Sequence, residues 1–482
     1  MKKLSIILIA LLFFQSFGHS QNLFSKTYEG RNLLYASTLD VSETIDKGYI
    51  ILGFSNSPDN TQQICLIKTS QSGDTLWTKL IAGMGWSYGF SIKQTSDKGF
   101  IIAGHTFKSI DIVGIVYSDL LLTKISEKGE VIWTKIFGGS GNYGAKSAEI
   151  MDDQGFMVLG SANSNGFDDY NPYIIRTNAK GDTIWTKTLS SCALGARGLD
   201  NFHTTSDGGY IIAGTTFGWN EGETGHVYVI KLDSNGDKTW SKVFKNYNYM
   251  SDVRIKESTD GGYVIAAPNY NYIQGGNTFE ILLTKIDPSG NVQWSKSFIG
   301  GGNATGNSLD KTIDGGTIVA GKTSDSLSNG CIYLIKSYST GDTQWTKLHS
   351  IPPGNGNIIV KQTSDEGYII TGQQDEGGNK TKIFLLKTDK NGNSSEITAT
   401  VPFENTTDFR VFPNPASDIL NIHRNDNSKV LVEIIDVNGR VVYQKTYSES
   451  LIRIEISKYP KGQYILKITS DTKTDKTVII KS

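Results

Sequence analysis

The sequence predicts an all-β chain: a seven-bladed β-propeller whose N-terminal strand closes the last blade, followed by a small Ig-like β-sandwich. Three observations predict it. A D-x-G turn motif, usually followed by an aromatic residue, recurs with its glycine at Gly48, Gly99, Gly155, Gly209, Gly262, Gly316 and Gly367. A second motif alternates with it: an apolar run ending in Lys or Arg, a Gly turn, then Trp77, Trp133, Trp185, Trp240, Trp294 or Trp345. The chain is also rich in Gly (52) and aromatics (Tyr 22, Phe 20, Trp 8) and poor in Pro (10), a composition of strands and tight turns.

The N-terminus comes first. Lys2 and Lys3 precede an apolar run from Leu4 to Phe14, and Gly18 and Ser20 are small residues at the positions favoured for cleavage. Residues 1–20 therefore read as an export signal cut after Ser20. The run is too short to span a bilayer, and the mature chain is expected to be exported without a transmembrane segment.

Next stands "NLFSKTYEG", Asn22 to Gly30, with Phe24 where six later stretches have Trp. Each repeat of about fifty residues holds four short β runs, A to D. In the second they are near "FSIKQTS", "FIIAGHT", "LLLTKIS" and "VIWTKIF", with hairpin turns joining A to B and C to D. The seventh repeat has A, B and C, but after Gly392 no W-T-K follows. The missing D run is the one at the N-terminus. Its pairing with the last repeat would close a ring over residues 22–393 and remove the open sheet edges. A linear solenoid would need distinct capping repeats, and none is visible.

Residues that recur in every repeat read as structural. A buried Trp cut to Ala costs about 3–5 kcal/mol. The turn glycines are expected at positive φ, with the neighbouring Asp and Asn bonding their own backbone. The turn "DSNGD", Asp233 to Asp237, lacks the downstream acids of a calcium loop. Cys65 and Cys331 fall on C runs of the first and sixth repeats with the seventh between them. They are expected too far apart to bridge, and the three cysteines, Cys192 included, are read as free or buried thiols.

The unit resembles the β-propeller repeat of many bacterial exported proteins, best seen from Trp133 to Gly138 and from Asp153 to Gly160. Its G-x-x-x-W step also resembles the tryptophan-docking motif of quinoprotein dehydrogenases. Those have eight blades, and no adjacent cysteine pair or metal-ligand set stands here, so no cofactor or metal is expected.

The D–A and B–C connections are long and variable, the A–B and C–D turns short and uniform. Variable loops on a rigid scaffold are the usual home of binding. They carry Trp86, Tyr88, Tyr143, Asp168, Asp169, Tyr170, Trp219, Tyr247, Tyr249, Tyr270 and Tyr272, aromatics and acids suited to sugar rings or a protein partner. The same aromatics also suit loop-on-loop packing. Lys+Arg number 47 and Asp+Glu 48, which argues against nucleic acid. The histidines are scattered without a catalytic order, so a non-enzymatic binder is the leading expectation. A secreted glycan-active hydrolase or lyase using the same face, or a purely structural surface component, are the alternatives. A monomer is expected.

A polar connector, residues 394–408, leads into Phe409 to Ser482, where alternating runs and turns at Asn438-Gly439 and Lys461-Gly462 predict the sandwich. This segment resembles the type A C-terminal sorting domain of the type IX secretion system of Bacteroidetes-type bacteria. Phe412, Pro413, Asn414, Pro415, Leu420, Asp436, Gly439, Arg440, Gly462, Tyr464 and the stretch from Lys476 to Lys481 carry the resemblance. It implies the type IX machinery as partner and passage through the periplasm to the medium or the outer-membrane surface. A plain accessory sandwich that binds ligand or matrix is the alternative.

Overall fold

In the computed structural model, residues 23–28, 36–56, 62–81, 86–110, 116–139, 142–163, 171–189, 196–216, 226–244, 253–273, 276–298, 305–324, 330–354, 356–375, 381–395, 398–399, 409–412, 416–424, 427–436, 440–470 and 474–481 are described. Residues 1–20, expected from sequence to be an export signal, and Cys192 lie outside them. The described residues form strands and turns, and no helix among them is long and apolar enough to cross a membrane.

Seven antiparallel sheets form the blades, and in each the strands lie in the order A-B-C-D from the inside outward. Six of them take consecutive strands. The seventh joins Phe24–Tyr28 to the C strand Thr381–Thr388, followed by Tyr368–Asp375 and Ile359–Gln362. The ring is closed as the repeat pattern predicts. Phe24 stands opposite Lys387, the register in which Trp77 meets Lys68 and Trp133 meets Lys124. A two-residue strand from the connector, Thr398–Ala399, adds to the outer edge of the sixth blade against Leu348 and His349.

The aromatic at this position holds neighbouring blades together. The glycine of each C–D turn rests on the aromatic ring of the blade before it. A Cβ at Gly129 would lie 3.1 Å from the Trp77 ring, one at Gly181 2.7 Å from Trp133, and one at Gly341 2.6 Å from Trp294. At the ring closure Gly73 of blade 1 meets Phe24 of blade 7 at 2.5 Å. These glycines also hold φ near +78°, for example Gly73 and Gly236, so two independent constraints exclude a side chain.

The D-x-G turn differs from expectation. Its left-handed residue is the middle one: Lys47, Lys98, Gln154 and Glu366 have φ of 62–67°, and glycine fills the place at Gly208, Gly261 and Gly315. This is a type I turn followed by a left-handed residue. The repeated final glycine is required by crowding. A Cβ at Gly48 would sit 2.1 Å from the Thr69 carbonyl oxygen and 2.7 Å from Lys68 Nζ.

That lysine explains the charged end of each C run. Lys68, Lys124, Lys231, Lys285, Lys336 and Lys387 are buried, as is most of Arg176. Each reaches back to the aspartate of its own D-x-G turn, at 2.9 Å for Lys68–Asp46 and 2.6 Å for Lys285–Asp260. The aspartate also accepts the turn glycine N–H, as in Asp260 with Gly262 at 3.0 Å. Burial works to raise the carboxyl pKa, but the lysine and hydroxyl hydrogen bonds outweigh it and hold Asp207 and Asp260 down at about 2. The repeated Asp is thus the counter-charge of a buried amine. Asp260→Ala is expected to destabilise the propeller by about 3 kcal/mol because Lys285 stays buried without its carboxylate. Urea denaturation checks this, and a loss under 1 kcal/mol, the ordinary worth of a surface pair, would contradict it.

Cys65 and Cys331 are buried and unbridged, and burial pushes the Cys65 thiol up to about 12. In the turn Asp233 to Asp237, Asp233 Oδ1 accepts the N–H groups of Asn235 and Asp237 at 2.9 and 2.8 Å, a self-capped turn.

The C-terminal strands form a three-stranded sheet and a four-stranded sheet. Leu420, Ile422, Ile452 and Ile454 from the first pack with Val432, Ile434, Leu466 and Ile468 from the second, the arrangement of a small sandwich. Ile419–Arg424 and Leu451–Glu455 alternate buried and less buried residues, so the sequence's period-two runs become one apolar face each.

Candidate ligand-binding site

The innermost strands surround a cavity of about 690 Å³. An inner strand has one side unpaired, and its free N–H groups need acceptors. Side chains of the preceding blade supply several. Asp40 Oδ2 accepts from Ile92 N at 3.0 Å, Asn201 Oδ1 from Ile255 N at 3.0 Å, and Asp310 Oδ2 from Gln362 N at 3.0 Å.

One register position, six residues before the D-x-G glycine, carries Ser42, Lys93, Glu149, His203, Lys256, Asp310 and Lys361. Closing the ring turns these into a belt. Lys93 pairs with Glu149 at 2.6 Å, which faces His203 Nδ1 at 3.2 Å. Lys256 lies 3.4 Å from Asp310, and Lys361 is 2.6 Å from Asp40 and 3.3 Å from Ser42 Oγ. A bulge just upstream, seen between Gly89 and Ser91 and between Ala145 and Ser147, pushes Phe90 and Lys146 to the cavity wall.

The electrostatics fix the protonation states. Burial would raise Glu149, but Lys93 and His203 prevail and hold it at about 2. Burial, reinforced by Lys256, pushes His203 down to about 4 although Glu149 opposes. Glu149 is therefore ionised and His203 neutral near pH 7, with its Nδ1–H donating to Glu149. His203 Nε2 is buried and finds no hydrogen-bond partner among the described residues. Lys256 is lowered by burial, with Asp310 opposing and Lys93 and Lys361 adding to the shift.

Three of the sequence-predicted loop residues are described with their side chains. Trp86 is 47% exposed. Tyr88 is half-buried, edge-on to Phe54 at 5.2 Å and stacked on Phe90 at 6.4 Å, with His105 at 5.0 Å. Tyr143 packs against Tyr173 at 5.5 Å. The structure thus brings Tyr88 next to the cavity wall through Phe90, over which Lys146 Nζ lies at 4.9 Å. Asp168, Asp169, Tyr170, Trp219, Tyr247 and Tyr249 lie outside the described residues, as do the side chains of Tyr270 and Tyr272. The belt itself escaped the sequence reading. Its signal was the one inner position that stays polar in every repeat while its identity changes.

In the C-terminal segment, Tyr464 is buried and its hydroxyl donates to the Pro460 carbonyl at 2.8 Å. Lys481 is buried at the end of the last strand, opposite Gly462. Pro413, Asn414, Pro415 and Gly439 lie outside the described residues, as does the Lys476 side chain.

Comparison with known proteins adds two findings. The chain is 24% identical over 298 residues to an endo-acting ulvan lyase of Formosa agariphila, covering 56% of this chain and 55% of that protein. It is 24% identical over 289 residues to the ulvan lyase NLR42 of Nonlabens ulvanivorans, covering 56% of this chain and 51% of that one. The chain thus spans about half the length of the curated relatives it matches. Among solved structures it is similar to a puromycin hydrolase (TM-score 0.44, 9% identity, 91% of this chain and 61% of that one). It is also similar to a Trypanosoma rangeli sialidase mutant (TM-score 0.40, 9% identity, 95% and 86%). The second finding concerns the end of the chain, where residues 410–481 match the secretion system C-terminal sorting domain. The chain is therefore a β-propeller repeat protein that ends in a type IX secretion sorting domain, which directs it to the cell surface or beyond.

Proposed function

We propose that the exported propeller binds an acidic extracellular polysaccharide and does not cleave it. The observation that carries this is the extent of the likeness to the two ulvan lyases. It covers 56% of this chain, far more than the sorting segment alone, so it reaches into the propeller. A polysaccharide lyase eliminates beside a carboxylate-bearing carbon, so its polymer is acidic. The cation-rich cavity and the aromatic group of Trp86, Tyr88 and Phe90 suit such a chain. Trp86 would offer its open ring to a sugar face, with Asp168, Asp169, Tyr170, Trp219, Tyr247, Tyr249, Tyr270 and Tyr272 as further loop contacts.

The lyase reading has one observation in its favour: Glu149, His203 and Lys256 place a carboxylate, an imidazole and an amine in one belt. Its weakness is the imidazole. Held at about 4, His203 is a feeble base for a carbon acid at neutral pH. Incubating the mature protein with ulvan separates the readings. Retention of the protein by the polymer, without the ultraviolet absorbance of an unsaturated uronate, is the expected result. Release of that product would establish the lyase. Failure to bind ulvan or any uronate polymer would sink both. Trp86→Ala is expected to weaken polymer binding about 5–30-fold, the worth of one stacked ring.

A further inference from the structure

The belt sets three ammonium groups round one axis. Lys93, Lys256 and Lys361 share a register position on the second, fifth and seventh blades, and all line the cavity. Each leans on a carboxylate to one side, at 2.6 Å from Glu149, 3.4 Å from Asp310 and 2.6 Å from Asp40. They still act on one another: Lys93 and Lys361 both disfavour the charged form of Lys256, the same direction in which burial works. Like charges gathered in a partly dry cavity repel strongly, and an anion between them relieves that repulsion. Two further cations, Lys146 and Arg254, also line the wall. Lys146 lies over the Phe90 ring and has no carboxylate partner among the described residues. Lys47 and Glu43 add one charge of each sign to the lining, and with Lys93, Lys256 and Lys361 matched by Glu149, Asp310 and Asp40, Lys146 is a further positive charge on the wall, while His203 is neutral. The cavity, about 690 Å³, is of the size that holds a small molecule.

We propose that the axial cavity binds a small oxyanion, a carboxylate or sulfate group, between Lys93, Lys256 and Lys361. An ammonium has three donors, so each lysine can donate to the anion's oxygens while keeping its present carboxylate. The competing view is that the ion pairs serve only to fasten one blade to the next. That view predicts no ligand.

The test is calorimetric titration of the mature wild-type protein in low-chloride buffer with sodium sulfate, sodium glucuronate and glucose. Sulfate or glucuronate should bind and glucose should not. Glucuronate binding more tightly than sulfate marks a saccharide subsite, and the reverse marks a site for the free ion; either supports the proposal. Lys256→Met should weaken anion binding at least about tenfold, the worth of one charge-assisted hydrogen bond. Lys361→Met serves as the second variant should the first fail to fold. Lys135→Met, on the outer strand of the second blade and paired with Asp182, should leave the affinity unchanged. No wild-type binding up to about 10 mM of either anion, an affinity too weak to be a site, overturns the proposal. So does equal affinity in Lys256→Met and Lys361→Met. The proposal stands apart from the polysaccharide reading: a protein that binds polymer but no small oxyanion sinks this inference alone.

Discussion

Removing residues 409–482 is expected to abolish delivery of the protein to the medium and cell surface while leaving a folded propeller in the periplasm. The sorting domain has a core of its own, built from Leu420, Ile422, Val432, Ile434, Leu466 and their neighbours. The blades have separate cores, such as the one joining Phe24, Tyr28 and Ile383 with Val41 and Ile51 across the ring closure. Loss of the sandwich therefore takes no apolar cover from the blade cores. Fractionation with an antibody to the propeller reads the first half of the expectation, and thermal melting of the purified truncation reads the second. Undiminished arrival of the truncated chain outside the cell would remove the sorting domain from the account. A truncated chain that failed to melt cooperatively would show that the sandwich props up the ring.

Deleting residues 22–30 is expected to have the largest effect on stability. The deletion strips five residues from the last blade and exposes the outer edge of Thr381–Thr388. It also removes Phe24, the ring beneath Gly73, and Tyr28, whose hydroxyl donates to the Gly73 carbonyl at 2.6 Å. The first and last blades then keep only the contacts of their inner strands, such as Lys361 with Asp40, and an open strand edge invites association. Phe24→Ala alone should cost about 3–4 kcal/mol, or roughly 5–10 °C in melting temperature. The deletion should cost more and bring aggregation on heating. Phe24→Trp restores the residue found in the other six blades and should keep most of the stability. A deletion that melted like the wild type would mean the ring does not depend on its first strand.

Much of this fold was legible because the repeat states the same physics seven times. A Trp beside a turn glycine, or a buried Lys facing an Asp, is ambiguous once and plain when it recurs at one spacing. The closing strand was legible for the same reason: Phe24 fills a position already defined by six tryptophans. The role of the D-x-G glycine was misread. From sequence, a turn glycine suggests a positive φ, whereas here the residue before it carries that strain, four times without being glycine. The close approach of the C-strand carbonyl that demands Gly48 is a tertiary fact.

The cavity was not legible. Lys93 and Glu149 stand 56 residues apart in the chain and meet only because the blades turn about an axis. Their identities also change from blade to blade, which hides them from any search for what recurs. The aromatic loops were the more visible candidates, yet Tyr88 and Tyr143 spend much of their surface on Phe54, Phe90 and Tyr173. Trp86 is the one described aromatic of that set with an open face.

The closed ring underlies everything else: the belt of charged residues and the cavity need the first blade to meet the seventh, and the first strand completes that seventh blade. Amide hydrogen exchange of residues 24–28, followed by mass spectrometry on the purified protein, tests this most directly. About half of these amides face the neighbouring strand in an edge position, and they should exchange as slowly as those of the outer strand Val131–Phe137. Exchange of all of them at the rate of an unfolded chain would contradict the closed ring.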